Sequence, residues 1–203
     1  MKKKGFFVAG SCILLVLIGV LVWLLIFNKR EEKSSFNLED LEQSDTMLDA
    51  PVPAQTEAAK KAGRQKAVIE TEKGRIVVEL RGDLMPYTVA NFVQLIQRNF
   101  YDGLFFHRVE DWVIQGGDPE GTGAGGPGYA IKLEVHKALK NVRGAVAMAR
   151  TSDPDSAGSQ FYILKSDAAW LDGNYAVFGT VLEGMEAVDK IKQGDKMLKI
   201  TLE

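Results

Sequence analysis

The sequence predicts a mainly β protein: an eight-stranded antiparallel closed β-barrel capped by two α-helices, preceded by one transmembrane helix and a flexible linker. Three observations carry this prediction. Residues 103–203 contain short apolar runs separated by glycines, which is typical of many short strands joined by turns. Only two stretches place apolar residues at helical spacing, which argues against alternating strands and helices in a parallel sheet. Residues 6–27 form one long uncharged apolar run.

The uncharged run predicts an N-terminal transmembrane anchor at residues 1–27. Its apolar part, residues 6–27, would be roughly 33 Å long as a helix, enough to cross the ~30 Å hydrocarbon core of a bilayer. A cleaved signal peptide is the alternative, since Lys2, Lys3 and Lys4 precede the run, but the run is too long and no A-x-A pattern follows it. Flanking positive charges are balanced, so the α-amino group slightly favours a single-pass protein whose soluble domain is extracytoplasmic.

Residues 28–65 are predicted to be a flexible linker, and residues 66–203 the folded domain. The linker contains Ser34, Ser35 and the stretch PVPAQ at 51–55, and it has few large apolar side chains. Such a segment cannot bury enough surface to offset the entropy lost by ordering its backbone.

The folded domain opens with a predicted hairpin and a predicted helix. Strands at 68–71 and 75–80 flank Glu72-Lys73-Gly74, whose glycine suits a turn. The helix follows Pro86, a residue tolerated in the first turn, and has the apolar stripe Val89, Phe92, Val93 and Ile96. Further strands are predicted in the runs GLFFHRV, WVIQGG, GYAIKLEV, RGAVAMAR, SQFYILK, YAVFGTVL and MLKITLE, and a second helix at 185–193, with Met185, Val188 and Ile191 on one face.

Composition excludes several classes of function. The formal charge of −2 gives no basic surface for a nucleic acid. Cys12 is the single cysteine, so no internal disulfide can form, and with only His107 and His136 as histidines the sequence predicts no metal site. The glycine-rich stretch GTGAGG at 121–126 lies between prolines and not between a strand and a helix, so it is predicted to be an irregular loop, not a dinucleotide site. No G-x-S-x-G motif supports a serine hydrolase.

The stretch FFHRVEDWVIQGGD at 105–118 places polar side chains among strand-forming apolar ones. Strand alternation puts Phe106 and Arg108 on one face. After a turn at Glu110-Asp111, Val113 and Gln115 share a face, so Arg108, Val113 and Gln115 are predicted to line a common surface. A surface ion pair for Arg108 and a strand-end amide for Gln115 remain the alternative interpretation of this stretch alone.

Four blocks together indicate a known family: F-H-R at 106–108, Q-G-G-D at 115–118, G-S-Q-F at 158–161 and W-L-D-G at 170–173. In this order and spacing, residues 66–203 resemble a cyclophilin, a peptidyl-prolyl cis–trans isomerase, in its small bacterial-type form and here membrane-anchored. The resemblance implies an eight-stranded antiparallel barrel with two helices, rotation about X-Pro bonds in proline-containing polypeptides, assistance to protein folding near a membrane, and no cofactor. It also implies binding of cyclosporin-like cyclic peptides. A non-catalytic, cyclophilin-like peptide-binding or chaperone module is the alternative.

The resemblance assigns the site residues by their match to the family's blocks. Arg108 matches the catalytic arginine. The implied substrate-binding residues are His107, Trp112, Val113, Gln115, Ala149, Arg150, Thr151, Gln160, Tyr162, Trp170, Leu171 and Tyr175. Several positions depart from the common pattern and bear on pocket shape: the turn after Arg108 is one residue shorter and carries Glu110-Asp111, Trp112 and Tyr162 replace phenylalanines, and Tyr175 replaces a histidine.

Overall fold

The computed structural model describes residues 62–203. The predicted transmembrane anchor at 1–27 and nearly all of the predicted linker at 28–65 lie outside the described residues. Within residues 62–203, no helix has the length and hydrophobicity that a membrane crossing requires.

The described chain forms eight strands and two α-helices. In chain order they are β1 Arg64–Thr71, β2 Gly74–Arg81, α1 Pro86–Gln97, β3 Arg108–Val109, β4 Val113–Gly116, β5 Ala145–Met148, β6 Phe161–Leu164, β7 Val177–Glu183, α2 Met185–Lys190 and β8 Met197–Leu202, with a short 3-10 helix at Ala169–Leu171 before β7. The prediction of a mainly β domain with two helices is confirmed.

All eight strands belong to one antiparallel sheet, but the predicted closed barrel is wrong. The strand order is β3-β4-β6-β5-β7-β2-β1-β8, so β3 and β8 are edges. Near these edges the chain makes one isolated bridge, between Phe105 and Lys196, and a few backbone hydrogen bonds such as that from Gly103 N to Met197 O. Because β3 has only two residues, it is too short to form a second ladder with β8. The sheet is therefore a half-barrel.

The predicted hairpin is confirmed and is longer than expected. β1 and β2 pair from Arg64 with Arg81 to Thr71 with Gly74. Gly74 has a φ of 134°, a backbone conformation that other residues rarely adopt. The glycine therefore allows the two-residue connection between the strands.

Both helices pack against the main core through apolar residues of the predicted stripes. In α1, Val89, Phe92 and Ile96 are buried in the main core, and the Phe92 ring lies 5.3 Å from the Phe161 ring and 4.9 Å from the Phe178 ring. The second helix is shorter than the predicted 185–193, since it ends at Lys190 and Ile191 is extended while still buried.

Two predictions from strand periodicity are wrong. The run GYAIKLEV at 128–135 is not a strand. It makes one isolated bridge, between Ile131 and Ala157, and Leu133 N donates to the side chain of Asp155 and not to a neighbouring strand. Phe106 and Arg108 do not share a face: Phe106 is buried in the main core and Arg108 is exposed. Residues 106 and 107 lie outside β3, so strict alternation does not extend through them.

Candidate active site

The β3–β4 hairpin brings together the three residues predicted to share a surface. Arg108 pairs with Gln115 across the hairpin, and its Nη1 donates to Gln115 Oε1 at 3.1 Å. Val113 lies on the same side of β4 as Gln115, and all three side chains border one cavity. The prediction of a common surface is confirmed. The alternative interpretation, a surface ion pair for Arg108, is correct in part. Arg108 does pair with Glu110, and it also borders this cavity.

The cavity beside Arg108 has a volume of about 90 Å³, enough for one small apolar group. Its lining consists of nine of the predicted site residues: Arg108, Trp112, Val113, Gln115, Ala149, Arg150, Tyr162, Leu171 and Tyr175. We call it the small cavity. It combines one apolar wall with two guanidinium groups.

The apolar wall belongs to a cluster on the face of the sheet opposite the main core. Val113 and Tyr162 are buried in this cluster, and Leu171, Trp112 and Tyr175 pack against it. Val113 and Tyr162 come from β4 and β6, which are paired neighbours. Because side chains alternate along a strand, these strands supply the main core with one face and the small cavity with the other.

The hydroxyl of Tyr162 is accounted for by a neighbour outside the small cavity. It donates to Asn141 Oδ1 at 2.8 Å. Burial raises the pKa of Tyr162 above its usual value, so the phenol stays protonated and can keep donating. The ring of Tyr162 therefore serves as an apolar surface although the side chain carries a hydroxyl.

A chain of side-chain hydrogen bonds runs from Arg108 to the glycine-rich loop. Gln115 accepts from Arg108 and donates through Nε2 to Gln160 Oε1 at 2.9 Å. Gln160 Nε2 in turn donates to the carbonyls of Gly123 and Gly125, at 3.0 Å and 2.8 Å. The two glutamines thus fix both the guanidinium group and the nearest loop.

A second cavity, of about 540 Å³, lies next to the first, and we call it the large cavity. Gln115, Ala149, Arg150, Thr151 and Gln160 border it, and three of these also border the small cavity: Gln115, Ala149 and Arg150. The rest of its lining was not predicted as site residues and comprises Gly123, Ala124, Gly125, Gly126, Pro127, Gly128, Tyr129, Ser156, Gly158 and Ser159.

The prediction of an irregular glycine-rich loop is confirmed. Gly121, Gly123 and Gly128 all have positive φ angles, which only glycine adopts readily. The buried carboxylate of Asp118 holds the loop by accepting from Glu120 N at 2.8 Å and Gly123 N at 2.5 Å. The glycines themselves were the available signal in the sequence, since a glycine allows a ligand to approach the backbone closely. They do not indicate which kind of ligand would bind.

Arg150 borders both cavities and is held by several contacts. Its Cζ lies 4.6 Å from the centre of the Tyr175 ring, its Nε donates to Asn174 O at 2.9 Å, and its Nη1 donates to Thr151 O at 2.8 Å. Tyr175 in turn contacts Tyr162 edge to face, with ring centres 5.9 Å apart. A cation stacked on an aromatic ring is stabilised there, so Arg150 is a fixed part of the wall.

Two predicted site residues border neither cavity. Trp170 is 67 % exposed and contacts Trp112 with ring centres 5.7 Å apart, so it lies at the outer rim. Both ring nitrogens of His107 are buried without a hydrogen-bond partner among residues 62–203. Burial lowers the pKa of His107, against the opposing effect of Asp118, so the imidazole is neutral at pH 7.

Comparisons with known proteins agree on one family. Residues 66–201 match the family model described as cyclophilin type peptidyl-prolyl cis-trans isomerase/CLD. A peptidyl-prolyl cis-trans isomerase from Helicobacter pylori (strain ATCC 700392 / 26695) is 50% identical over 133 residues, which cover 64% of this chain and 81% of the relative. Peptidyl-prolyl cis-trans isomerase B from Bacillus subtilis (strain 168) is 44% identical over 131 residues, covering 64% of this chain and 91% of the relative.

Solved structures give the same result. A crystal structure of a Cryptosporidium parvum cyclophilin type peptidyl-prolyl cis-trans isomerase is similar with a TM-score of 0.65 and 30% identity, covering 70% of this chain and 98% of that one. A second structure of that protein, in the presence of the dipeptide Ala-Pro, has a TM-score of 0.64 and 31% identity, covering 68% of this chain and 99% of that one. Because the family model, the relatives and the solved structures agree, the chain belongs to the cyclophilin-type peptidyl-prolyl cis-trans isomerases and is an enzyme of that class.

Proposed function

We propose that the two cavities bind an extended proline-containing polypeptide, with the prolyl ring in the small cavity and the neighbouring residues along the large one. The observation that carries this proposal is the placement of Arg108 beside the apolar wall formed by Val113 and Tyr162. Residues 149–151 border both cavities or the larger one. The backbone N–H and C=O of Arg150 have no hydrogen-bond partner within residues 62–203, so they can pair with the backbone of a peptide that crosses between the cavities.

Rotation about an X-Pro bond breaks no covalent bond, so the chemistry needs no nucleophile. The barrier of ~18–20 kcal/mol comes from the resonance that keeps the amide flat. At the top of the barrier this resonance is lost, and the prolyl nitrogen carries a localised lone pair. A group that binds this nitrogen only in the twisted state lowers the barrier, since catalysis requires stronger binding of the transition state than of the ground state.

Arg108 is the group we propose for this role. Its guanidinium group is always charged and presents several donors in a rigid plane. Its side chain is 43% exposed, so a substrate can reach it. The apolar wall holds the ring while the preceding carbonyl turns, and exclusion of water there favours the less polar, twisted amide.

Substitution of Arg108 tests the proposal. We expect Arg108→Ala in the full-length chain to lower kcat/KM for a tetrapeptide with an Ala-Pro bond by about 100- to 1000-fold, or about 3–4 kcal/mol of transition-state stabilisation. Arg108→Lys should recover little activity, because an ammonium group lacks the planar fork. The readout is the rate of cis–trans exchange, measured by NMR.

Arg75→Ala is a suitable control. Arg75 is a surface arginine that pairs with Glu70 and Glu203 and borders neither cavity. The Arg75→Ala variant should retain the turnover of the wild type. Turnover by Arg108→Ala within threefold of wild type would contradict the catalytic role and would favour a non-catalytic peptide-binding module. Cyclosporin-like cyclic peptides would compete for the same surface and provide an independent inhibitor for the assay.

We further propose that the chain acts at a membrane, as a single-pass protein of the small bacterial type with its isomerase domain on the extracytoplasmic side. The uncharged run at 6–27 supports the anchor, and the identities of 50% and 44% to bacterial relatives support the type. Its clients would then be proline-containing polypeptides that fold near the membrane surface.

A further inference from the structure

We propose that Glu110 is a positioning residue for the reaction, which holds the guanidinium group of Arg108 so that Nη2 is presented to the prolyl nitrogen. This inference rests on the proposed role of Arg108. It adds a carboxylate to a site whose other polar side chains are two arginines, two glutamines and two tyrosines.

Local backbone geometry places the two side chains together. Alternate residues of an extended chain point to the same side, and Glu110 follows Arg108 by two residues at the end of β3. Glu110 N donates to Val113 O at 2.8 Å, so the hairpin turns tightly through Asp111 and Trp112. This turn returns the Trp112 side chain to the same region.

Both oxygens of the Glu110 carboxylate are engaged. Oε1 accepts from Arg108 Nε at 2.7 Å, and Oε2 accepts from Trp112 Nε1 at 2.8 Å. The Cζ of Arg108 also lies 5.3 Å from the centre of the Trp112 ring. Glu110 therefore fixes the arginine and the tryptophan relative to each other, with the guanidinium group over the indole ring.

Gln115 holds the opposite edge of the guanidinium group. It accepts from Arg108 Nη1, while Gln160 and the glycine-rich loop fix the position of Gln115. Nε and Nη1 of Arg108 thus have protein acceptors. Nη2 has no acceptor within residues 62–203, so it is the nitrogen with both N–H groups left for a substrate.

The benefit of the Arg108–Glu110 pair is orientation more than stability. The Arg108 side chain is 43% exposed and that of Glu110 46%, and ion pairs this exposed contribute little to folding. A long arginine side chain, however, has many rotamers, and a site that holds one of them in advance avoids losing that freedom in the transition state.

The carboxylate of Glu110 also has an effect that opposes catalysis, so the direction of the rate change in a Glu110 variant tests the proposal. Its negative charge reduces the positive potential that Arg108 offers to the prolyl nitrogen. If charge dominated, removal of Glu110 would speed the reaction. If orientation dominates, as we infer, its removal slows the reaction.

The test compares Glu110→Ala with Asp111→Ala in the full-length chain. Asp111 is the adjacent acid, is exposed, and makes no side-chain hydrogen bond to residues 62–203, so its removal changes the charge equally without freeing Arg108. We expect Glu110→Ala to lower the exchange rate of a saturating Ala-Pro tetrapeptide about tenfold while its Kd changes less than twofold. Asp111→Ala should alter neither quantity.

A spectroscopic readout reports positioning separately from turnover. In ¹⁵N-labelled protein, the indole N–H resonance of Trp112 should shift in Glu110→Ala, and the Nε–H resonance of Arg108 should broaden through exchange with water. Neither should change in Asp111→Ala. Glu110→Gln, which keeps the side-chain size but can accept from only one of the two donors, should give a smaller loss and serves if the alanine variant folds poorly.

Several results would overturn the inference. A Glu110→Ala rate equal to or above wild type would show that orientation by Glu110 does not matter. A loss confined to Kd would assign Glu110 to substrate binding. Inactivity of the wild-type chain would contradict the proposed function itself, and the two resonances would then still show whether Glu110 holds Arg108 and Trp112. Unchanged resonances in Glu110→Ala would contradict the positioning role.

Discussion

At the scale of single residues, Tyr162 shows how an altered side chain can keep the site's character. The sequence comparison with the family placed a tyrosine where phenylalanine is usual, and with it a hydroxyl near the expected prolyl ring. The structure directs this hydroxyl to Asn141. Asn141 is itself buried and donates through Nδ2 to Asp172 at 3.1 Å. The hydroxyl therefore belongs to a buried polar network and not to the cavity surface.

We predict that Tyr162→Phe affects stability more than activity. The substitution removes the donor to the buried Asn141 Oδ1, and loss of one partner of a buried hydrogen bond costs about 1–3 kcal/mol. The aromatic wall is unchanged, so kcat/KM should stay within about threefold of wild type. Urea unfolding and the NMR exchange assay measure the two quantities.

Tyr175→Phe is the matched control for Tyr162→Phe. Tyr175 also borders the small cavity, but its hydroxyl has no hydrogen-bond partner within residues 62–203. The Tyr175→Phe variant should therefore unfold at nearly the same urea concentration as the wild type. If both variants lost the same stability, the Tyr162–Asn141 hydrogen bond would not explain the effect.

The position of a side chain could be predicted from the sequence where it depends on neighbouring residues, and not where it depends on distant ones. Arg108, Val113 and Gln115 could be grouped from strand alternation, which is a local rule. The same rule failed at Phe106, because the chain leaves the strand conformation there. The role of Glu110 could not be predicted, since it depends on where the Arg108 and Trp112 side chains meet.

At the scale of elements, α1 depends on a residue far away in sequence. No side chain of its own N-terminus caps the helix. Instead Glu134, from the irregular segment before β5, accepts from Thr88 N at 2.9 Å and Thr88 Oγ1 at 2.8 Å. A carboxylate at this end also interacts favourably with the helix dipole. Residues 128–135 therefore supply the cap of α1 from an irregular segment.

We predict that Glu134→Ala destabilises the domain by about 1–2 kcal/mol, since it removes a helix cap and leaves the buried Thr88 hydroxyl without its acceptor. Glu134→Gln should cost less, because its amide oxygen can still accept. Glu183→Ala removes an exposed carboxylate at the end of β7 and serves as the control. Chemical unfolding gives the free energies, and equal values for Glu134→Ala and Glu183→Ala would rule out the capping role.

The helices and the first hairpin were predictable because their signals are periodic and local. Val89, Phe92 and Ile96 repeat at helical spacing, and all three are buried as expected. The run at 128–135 has an equally suitable composition for a strand. In the fold it bonds instead to distant partners, Asp155 and the N-terminus of α1, and no local pattern in the sequence identifies such partners.

At the scale of the whole molecule, a sheet of about eight strands was predictable and its closure was not. Counting apolar runs between turns gives nine candidate strands, one more than the structure has, because the run at 128–135 is not a strand. Closure depends on whether the two edge strands are long enough to pair, and β3 has two residues. The single bridge between Phe105 and Lys196 takes the place of a ladder. The site lies at one of these edges, since Arg108 belongs to β3.

The uncharged run at 6–27 predicts where in the cell the chain resides. If residues 6–27 anchor the chain, it should remain with membranes after alkaline extraction. Val16→Arg with Leu17→Arg should release it, since each arginine near the centre of a membrane helix costs about 2.5–3.5 kcal/mol. Ser34→Arg with Ser35→Arg adds the same charge in the predicted linker and should leave the chain in the membrane fraction.

The side of the membrane can be tested with a protease. If the isomerase domain is extracytoplasmic, protease added outside spheroplasts should cut the linker and release an active isomerase. A domain protected until the membrane is lysed would reverse the proposed orientation, and wild-type chain extracted at alkaline pH would refute the anchor.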